Sequence, residues 1–390
     1  MAPKPLIKVA AICGSLRKAS YNGGLIRSAI ELSKSIDGIK MDYVDISLLP
    51  LLNQDLEVDG KYPPAVEAFR QKILESDCFL FASPEYNYSV TAPLKNAIDW
   101  ASREPSVWAD KTAAIISAGG GFGGGRSQYH IRQTAVFLDL HIINKPEFFL
   151  NAFQQPSKFD SDGNLIDSES KEKLKDVLLS LKEFTLRLQQ GMQFVKSNIT
   201  PKPSIKVAAI CGSLRKASYN GGLIRSAIEL SKSIDGIKMD YVDISPLPLL
   251  NQDLEVDGKY PPAVEAFRQK MLEFDCFLFA SPEYYYSVTA TLKNAIDWAS
   301  RAPNVLADKS AAIISASGGF GGGRSQYHLR QTAVFIDLHF INKPEFFLNA
   351  MEQPSKFDSD GNLIDSETKE RLKDVLVSLK KFTLRLQQGN

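Results

Sequence analysis

The feature that most constrains the fold of this chain is a tandem repeat of domain size. Residues 4–191 align without a gap to residues 202–389 at a constant offset of 198, with 20 differences over 188 positions. A repeat this long can bury a core of its own, whereas the short repeats of a solenoid need their neighbours. We therefore predict two domains of the same fold, residues 1–190 and 204–390, joined by a polar, proline-containing linker at 191–203.

Within each copy, short apolar runs alternate with amphipathic helical patterns. The run Cys78–Ala82 is apolar throughout, as strands are when helices cover both faces of a parallel sheet. Five such βα units predict a doubly wound, five-stranded parallel sheet of flavodoxin-like order in each copy. In the first copy we predict strands near 7–12, 41–46, 78–83, 112–118 and 146–150, and helices near 22–36, 64–75, 93–102, 127–138 and 168–189.

Composition narrows the classes of function. Charged residues make up 23% of the chain and apolar residues 44%, and the formal net charge is +1. This balance argues against a nucleic-acid partner, and no apolar run is long enough to predict an integral membrane segment. The four cysteines form no C-x-x-C pair and lie far in sequence from the four histidines. We therefore expect reduced thiols, no metal site and a cytoplasmic location.

The loop after the first predicted strand occurs in both copies, at residues 12–25 and 210–223. A loop that leads into a helix N-terminus gathers free backbone N–H groups at the positive end of the helix dipole, which favours an anion. Dinucleotide-binding loops have the spacing G-x-G-x-x-G, but here no glycine follows Gly14 until Gly23. Hydroxyl and guanidinium donors between them favour one terminal phosphate. The alternative is a helix N-cap at Ser20 beside a surface arginine.

Two further loops are expected at the same edge of the sheet, beyond the carboxyl ends of strands three and four, where such sheets bind ligands. Residues 84–90 carry aromatic side chains that suit a flat heterocycle. Residues 117–126 contain six glycines within seven positions, which permits close approach of backbone to a ligand. Each loop alone is also compatible with an ordinary surface turn. The three together predict a site for a mononucleotide with a planar ring.

Four motifs occur together in each copy with few changes: G-S-L-R-K-x-S-x-N, P-E-Y-N-x-S, L-K-N-A-I-D-W and G-G-x-G-G-x-R-x-Q. They resemble those of the NADPH-dependent FMN reductase family, and its plant-type NAD(P)H:quinone oxidoreductases in particular. The resemblance covers each copy almost from end to end. It implies a flavodoxin-like fold, FMN as cofactor, and two-electron transfer from NADPH or NADH to quinones or to azo and other aromatic acceptors. No catalytic acid or base is implied, because the cofactor performs the chemistry.

By that resemblance, one set of side chains in each copy holds the phosphate: Ser15, Arg17, Ser20 and Asn22, and Ser213, Arg215, Ser218 and Asn220. A second set borders the ring or the ribityl chain: Pro84, Glu85, Tyr86, Asn87 and Ser117, and Pro282, Glu283, Tyr284, Tyr285 and Ser315. The most notable departure from the motifs is Tyr285 in place of Asn87, and five of the 20 differences fall between positions 87 and 108. Two hypotheses follow for the second copy: altered FMN binding or substrate access, or neutral drift after duplication.

The resemblance also implies an active site near a subunit interface. The tandem chain would then act as an intramolecular pseudo-dimer that pairs further into a larger assembly. Three alternatives stay open: a flavin-binding electron carrier, a second copy that is only a structural partner, and a Rossmann-type protein in which Asp45 and Asp243 bind a ribose. The balanced charge disfavours the carrier, and the glycine spacing disfavours the Rossmann type.

Overall fold

The computed structural model describes residues 6–196 and 204–388. The chain forms two compact units, Met1–Leu186 and Arg187–Asn390. The first unit contains β1 (Ile7–Cys13), α1 (Tyr21–Ser33), β2 (Ile39–Tyr43), α2 (Pro64–Leu74), β3 (Cys78–Ala82), β4 (Glu85–Tyr86), β5 (Ser89–Val90), α3 (Ala92–Ser102), β6 (Thr112–Gly119), α4 (Gly125–Leu138), β7 (His141–Ile142), β8 (Phe148–Asn151) and the start of α5 (Ser168–Lys196). The second unit contains β9 (Ile205–Cys211), α6 (Tyr219–Ser231), β10 (Ile237–Tyr241), α7 (Pro262–Leu272), β11 (Cys276–Ala280), β12 (Glu283–Tyr284), β13 (Ser287–Val288), α8 (Ala290–Ser300), β14 (Ser310–Ser317), α9 (Gly323–Phe335), β15 (His339–Phe340), β16 (Phe346–Asn349) and α10 (Ser366–Gln388).

Each unit is built on a parallel sheet. In the first unit the strand order is β2-β1-β3-β6-β7, and β8 also pairs with β6; the second unit has the order β10-β9-β11-β14-β15, and β16 pairs with β14. The chain leaves β1 toward β2 and then crosses to β3 on the other side, which is the flavodoxin-like order and confirms the predicted fold class. The predicted fifth strand, 146–150, corresponds to β8, and a further short strand, β7, precedes it and also pairs with β6. Pro146 lies between β7 and β8 and has no N–H for the ladder.

Several element boundaries differ from those predicted. The second strand lies at Ile39–Tyr43 instead of 41–46, and the sequence did not predict the hairpin of β4 and β5. Helix α5 continues to Lys196, so the first six residues of the predicted linker are helical. The rest of that linker, 197–203, lies outside the described residues.

The core of each unit accommodates the differences between the copies. Trp108 is fully buried in the first unit, and Leu306 is fully buried at the same position of the second. In the second unit Phe340 replaces Ile142, and its ring centroid lies 6.0 Å from that of Phe279 in the same core. A loss of side-chain volume at one position is therefore offset by a gain at another, which is the kind of core change that costs least.

All four cysteines are buried and unpaired. Burial raises the pKa of Cys78 and that of Cys276 to about 12, and it also raises the pKa of Cys13 and Cys211. Over residues 6–196 and 204–388, no group of three or more His, Cys, Asp or Glu side chains is placed to hold a metal ion. Among the described helices, none combines the length and apolarity that a membrane-spanning segment needs.

The turn of the β4–β5 hairpin has a counterpart in the second unit whose backbone is more strained. Asn87 and Tyr88 have φ of 47° and 62°, and Tyr285 and Tyr286 have φ of 45° and 64°. Two successive positive φ values mark a type I′ turn, in which Asn, Asp and Gly are favoured. A tyrosine at the first position is less compatible with this conformation than an asparagine. The Tyr285 side chain is 98% exposed, so packing does not compensate the strain.

We expect Tyr285→Asn to stabilise the second unit by about 1 kcal/mol, and Asn87→Tyr to destabilise the first by a similar amount, because asparagine adopts positive φ at lower cost. Scanning calorimetry of the full chain measures this as a change of about 2–4 °C in the melting temperature of the affected unit. Tyr285→Phe is the control and should leave the melting temperature unchanged. An equal gain for phenylalanine would contradict the backbone explanation.

Candidate functional site

The three predicted loops begin side by side at the carboxyl edge of the sheet. Cys13 at the end of β1 pairs with Ala82 at the end of β3. The N–H of Gly14 donates to the Ala82 carbonyl at 2.9 Å, and the N–H of Ser83 donates to the Ile116 carbonyl at 2.9 Å. This edge, between β1 and β3, is where the direction of strand order reverses, so the loops meet at the position where open α/β sheets bind ligands.

A cleft of about 620 Å³ opens at this edge in the first unit, within the range of small-molecule sites. Residues 14–17 form one wall, and residues of the segment 84–93 form the other. The two walls are fixed together, because the Thr91 hydroxyl donates to the Gly14 carbonyl at 2.7 Å. A Cβ on Gly14 would lie 2.9 Å from the Thr91 Oγ1 and 3.0 Å from Pro84, so this approach requires glycine.

The loop between β1 and α1 presents free hydrogen-bond donors. Ser20 caps α1 by accepting from the Gly23 N–H at 3.3 Å. The exposed Arg17 guanidinium donates to the Ala19 carbonyl at 3.2 Å, and no described carboxylate lies within ion-pairing distance of it. Several backbone N–H groups also lack an acceptor among the described residues, namely those of Leu16, Lys18, Ala19 and Ser20. Amides and a guanidinium gathered at a helix N-terminus form an anion-binding arrangement.

Asn22 and Ser117 make their hydrogen bonds inside the unit. The buried Asn22 side chain donates to the Ala118 carbonyl at 2.8 Å and accepts from the Ala118 N–H at 3.0 Å. The Ser117 hydroxyl donates to the Gly123 carbonyl at 2.6 Å and accepts from Gln128 at 2.7 Å. These two predicted site residues therefore fasten α1 and the glycine-rich loop to the end of β6.

The glycines of the third loop have two different roles. Gly123 and Gly124 have φ of 58° and 87°, and a Cβ on Gly124 would lie 2.8 Å from that of Ser117. Gly120 and Gly121 face open space, with no atom within 4 Å of the position that a Cβ would occupy. The first pair is needed for the path of the loop, and the second pair leaves room for a ligand.

The hairpin is held against α4 by contacts that the sequence analysis missed. The Glu85 carboxylate accepts from the Arg126 backbone N–H at 3.0 Å and from its guanidinium at 3.1 Å. The same guanidinium lies 4.2 Å from the ring centroid of Tyr88, a cation–π contact. Both carboxylate oxygens of Glu85 are therefore engaged with Arg126. The Tyr86 side chain on the cleft wall is 63% exposed. The sequence did contain a sign of this contact, because Arg126 is the arginine of the G-G-x-G-G-x-R-x-Q motif.

The second unit repeats this framework. The Asn220 side chain pairs with Ala316 at 2.7 and 3.1 Å, and Glu283 accepts from Arg324 at 3.0 and 3.2 Å. Ser218 caps its helix by accepting from Gly221 at 3.2 Å, and Ser315 donates to Gly321 at 2.6 Å. The remaining predicted residues of this unit, Ser213, Arg215, Pro282 and Tyr284, occupy the same places in the corresponding loops.

Few of the clustered sequence differences lie at the cleft. Of the five between positions 87 and 108, only Asn87 and Pro93 line it. Trp108 lies in the core, so this cluster of differences, although close in sequence to the hairpin, does not as a whole border the cleft. Tyr285 in the second unit is 98% exposed and therefore does not fill the corresponding space.

The aspartates considered for ribose binding have other partners. The Asp45 carboxylate accepts from the backbone N–H and the hydroxyl of Ser47, both at 2.9 Å. Asp243 makes the same turn with Ser245, at 2.9 and 2.8 Å. Both carboxylate oxygens are therefore engaged in a local turn, which argues against the Rossmann-type alternative.

Comparison with known proteins agrees with these features. The profile of the NADPH-dependent FMN reductase family matches twice, at residues 7–155 and 205–353. The chain is 71% identical over 190 residues to an NAD(P)H:quinone oxidoreductase of Solanum tuberosum, covering 48% of this chain and 98% of that protein. It is 72% identical over 189 residues to an NADPH:quinone oxidoreductase of Arabidopsis thaliana, covering 48% and 96%. An NAD(P)H-dependent FMN reductase of Pseudomonas aeruginosa is 47% identical over 185 residues, covering 47% and 97%. Each relative thus corresponds in length to one unit, and the chain belongs to the NADPH-dependent FMN reductase family, with one copy of the family domain in each half.

Proposed function

We propose that each unit is an FMN-dependent oxidoreductase that transfers two electrons from NADPH or NADH to a quinone. The observation that carries this proposal is the cleft at the switch point, walled by an anion-binding loop and by a hairpin with an exposed tyrosine. The similar plant proteins are named as quinone oxidoreductases, and azo or other aromatic acceptors belong to the same class of planar electron acceptors.

The residues present fit FMN. The free amides of Leu16, Lys18, Ala19 and Ser20, the Ser15 hydroxyl and the Arg17 guanidinium supply donors for a terminal phosphate. The open space beside Gly120 and Gly121 and the wall formed by Pro84 and Tyr86 suit a flat ring. In the second unit we propose the same roles for Ser213, Arg215, Pro282 and Tyr284. We propose that the remaining predicted residues of both units shape the site around the cofactor: Ser20, Asn22, Glu85, Asn87 and Ser117 in the first, and Ser218, Asn220, Glu283, Tyr285 and Ser315 in the second.

In the overall reaction, NAD(P)H and one proton reduce a quinone to a hydroquinone and leave NAD(P)+. Bound FMN supplies the chemistry of hydride acceptance and two-electron transfer. The protein anchors the phosphate through Arg17 and the loop amides, and it fixes the hairpin through Glu85 and Arg126. We assign no residue as a general acid or base. The Nδ1 of His130 lies 2.8 Å from the Ser89 hydroxyl, which gives this histidine a structural role in holding the hairpin.

Several finer statements are part of the proposal. We propose domain boundaries at 1–190 and 204–390, a cytoplasmic location consistent with four unpaired cysteines, and an intramolecular pseudo-dimer, as the duplication implies. Pairing into a larger assembly is proposed from the family resemblance. Light scattering of the purified chain measures that assembly directly.

The test is flavin content followed by rapid mixing with NADPH under anaerobic conditions. We expect a yellow protein with about two FMN per chain and direct bleaching of the flavin absorbance, because both units retain the anion-binding loop. A colourless protein that does not take up FMN would contradict the proposal. Bound flavin that neither NADPH nor NADH reduces would indicate an electron carrier. One FMN per chain would indicate that one unit is only a structural partner.

A further inference from the structure

A second cavity, the side pocket, borders the loop between β9 and α6 in the second unit. It has a volume of about 500 Å³, within the range of small-molecule sites. Its walls are that loop, the first turns of α6 and the end of β10. In the first unit the equivalent loop forms one wall of the cleft, and the segment after β3 forms the other. Because the second and third strands flank the first strand on opposite sides, the loop separates the cleft from the side pocket.

The lining of the side pocket carries three positive charges and one negative charge. Arg215 and Lys216 belong to the loop and Arg225 to α6, and all three side chains are exposed. No described carboxylate lies within ion-pairing distance of any of them. The acidic residue, Asp243, accepts from the backbone N–H and the hydroxyl of Ser245 at 2.9 and 2.8 Å. An electropositive pocket of this kind attracts an anionic ligand.

The Arg225 guanidinium is held in position by a turn that is distant in sequence. Its Nε donates to the Asn362 side chain at 2.8 Å, and one terminal nitrogen donates to the Asp360 carbonyl at 3.3 Å. The other terminal nitrogen has no acceptor among the described residues. A guanidinium that is fixed by two hydrogen bonds and keeps a free donor at a pocket is prearranged for a charge-assisted bond to a phosphate.

The rest of the lining includes apolar and aromatic groups. Cys211 and Ile224 are each 2% exposed, and the Tyr241 side chain at the end of β10 is 48% exposed. A bare phosphate needs only donors, whereas an apolar floor beside an accessible aromatic ring suits a flat base. Cations, apolar floor and aromatic ring together indicate a phosphorylated nucleoside.

The place of the pocket in the fold narrows the choice of nucleoside. In open α/β sheets that bind dinucleotides, the adenosine ribose lies near the end of the second strand. There an acidic residue binds the 2′-hydroxyl of NAD, or an arginine accommodates the 2′-phosphate of NADP. The side pocket lies at the end of β10, the second strand of its unit. Here the Asp243 carboxylate is engaged with Ser245, and the cations are available, which favours the 2′-phosphate.

We propose, on the basis of the proposed function, that the side pocket binds the adenosine 2′-phosphate end of the hydride donor and that the chain therefore prefers NADPH to NADH. Lys216 and the two arginines bind the 2′-phosphate, and the adenine stacks on Tyr241. The dinucleotide then passes over the loop that separates pocket and cleft, and its nicotinamide reaches the cleft. All twelve residues that line the pocket recur at the equivalent positions of the first unit, so the proposal applies to both units.

The test uses the full chain loaded with FMN, so that the phosphate anchors of the flavin are already occupied. Calorimetric titration compares adenosine 2′,5′-bisphosphate with adenosine 5′-monophosphate, and kcat/KM is measured for NADPH and for NADH with the same quinone. We expect two bisphosphate molecules to bind per chain, at least tenfold more tightly than the monophosphate, because the 2′-phosphate adds charge-assisted bonds.

The lysine variant carries Lys18→Ala together with Lys216→Ala, which removes one cation from each side pocket. We expect it to bind the bisphosphate about tenfold more weakly and to lose a similar factor in kcat/KM for NADPH, with the values for the monophosphate and NADH unchanged. Both lysines are exposed, so the variant is expected to fold. Lys61→Ala with Lys259→Ala is the matched control, because it removes the same charge from exposed positions outside the pocket.

A second variant, Tyr43→Ala with Tyr241→Ala, tests the placement of the base. It is expected to weaken the bisphosphate and the monophosphate by the same factor, about tenfold, because both present the same adenine for stacking. Unchanged affinity for both nucleotides would overturn the placement of the adenine on this tyrosine.

Equal affinity of the unmodified chain for the two nucleotides would overturn the inference and leave the proposed function in place. An unchanged ratio of kcat/KM for NADPH and NADH in the lysine variant would also overturn it, whether both values stay the same or both fall equally. Bound FMN that neither coenzyme reduces would instead overturn the proposed function and, with it, the role of the side pocket.

Discussion

A chain that carries Arg17→Ala together with Arg215→Ala is expected to keep its fold and to bind FMN about 10–100-fold more weakly at each site, because a hydrogen bond to a charged group contributes about 1.5–3 kcal/mol. Folding should not suffer. Arg17 lies on an exposed loop, and its guanidinium donates only to the Ala19 carbonyl among the described residues. The same holds for Arg215 and Ala217.

Titration with FMN and with riboflavin in parallel distinguishes the phosphate from the ring. Riboflavin lacks the phosphate, so its affinity should be unchanged by these substitutions. Lys18→Ala with Lys216→Ala is the control, since these neighbouring cations are exposed on the same loop. If FMN and riboflavin weaken equally, the arginines act on the ring site and not on the phosphate. If neither weakens, the loop between β1 and α1 is not the phosphate anchor.

Gly24→Ala is expected to have the largest effect on stability, a loss of about 3 kcal/mol or more from the first unit, because overpacking against fixed backbone is costly. A Cβ on Gly24 would lie 1.8 Å from the carbonyl oxygen of Gly163. That carbonyl belongs to a turn closed by Asp160, whose carboxylate accepts from the backbone N–H groups of Asp162 at 3.0 Å and Asn164 at 2.8 Å. The turn therefore has little freedom to move away.

The neighbouring glycine supplies the control. A Cβ on Gly23 has its nearest contact at 3.4 Å, with the flexible end of Arg27. Gly23→Ala should be neutral or stabilising by up to about 1 kcal/mol, since alanine is the better helix former. Urea unfolding followed by circular dichroism measures both variants, and Gly222→Ala with Gly221→Ala repeats the pair in the second unit, where the Gly222 contact is 1.9 Å from Gly361. Equal stability of the two alanine variants would contradict the close contact.

Gly24 also links stability to the site. A Cβ on Gly163 would lie 2.8 Å from the Ala19 carbonyl oxygen, so the turn that contains Gly163 packs directly against the loop between β1 and α1. Displacement of the turn by Gly24→Ala is therefore expected to weaken FMN binding as well as the fold.

The sequence predicted those parts of the fold that are encoded locally. Apolar runs such as Cys78–Ala82 have a length and a pattern that mark a buried strand, and their alternation with helices leads to a doubly wound parallel sheet. The β4–β5 hairpin was missed because each of its strands has only two residues. The predicted fifth strand corresponds to β8, whereas β7 was missed because it also has only two residues.

The sequence predicted which loops form the site, but it did not predict which contacts the individual side chains make there. Asn22 lies in the phosphate-loop motif, yet its amide pairs with Ala118, 96 residues away. Trp108 follows the hairpin closely in sequence, yet it is buried in the core. Nearness in sequence indicates which loop a residue belongs to, whereas the direction of its side chain depends on packing between distant segments.

The buried cysteines have a consequence for a protein that handles quinones. Quinones are electrophiles, and they alkylate thiolates by Michael addition, whereas the protonated thiol reacts slowly. Burial raises the pKa of all four sulfur atoms, to about 12 for Cys78 and Cys276. Cys78 and Cys276 are fully buried, so at neutral pH these two thiols carry their protons and lie out of reach of solvent. They are thereby protected from alkylation by the compounds that we propose the chain reduces.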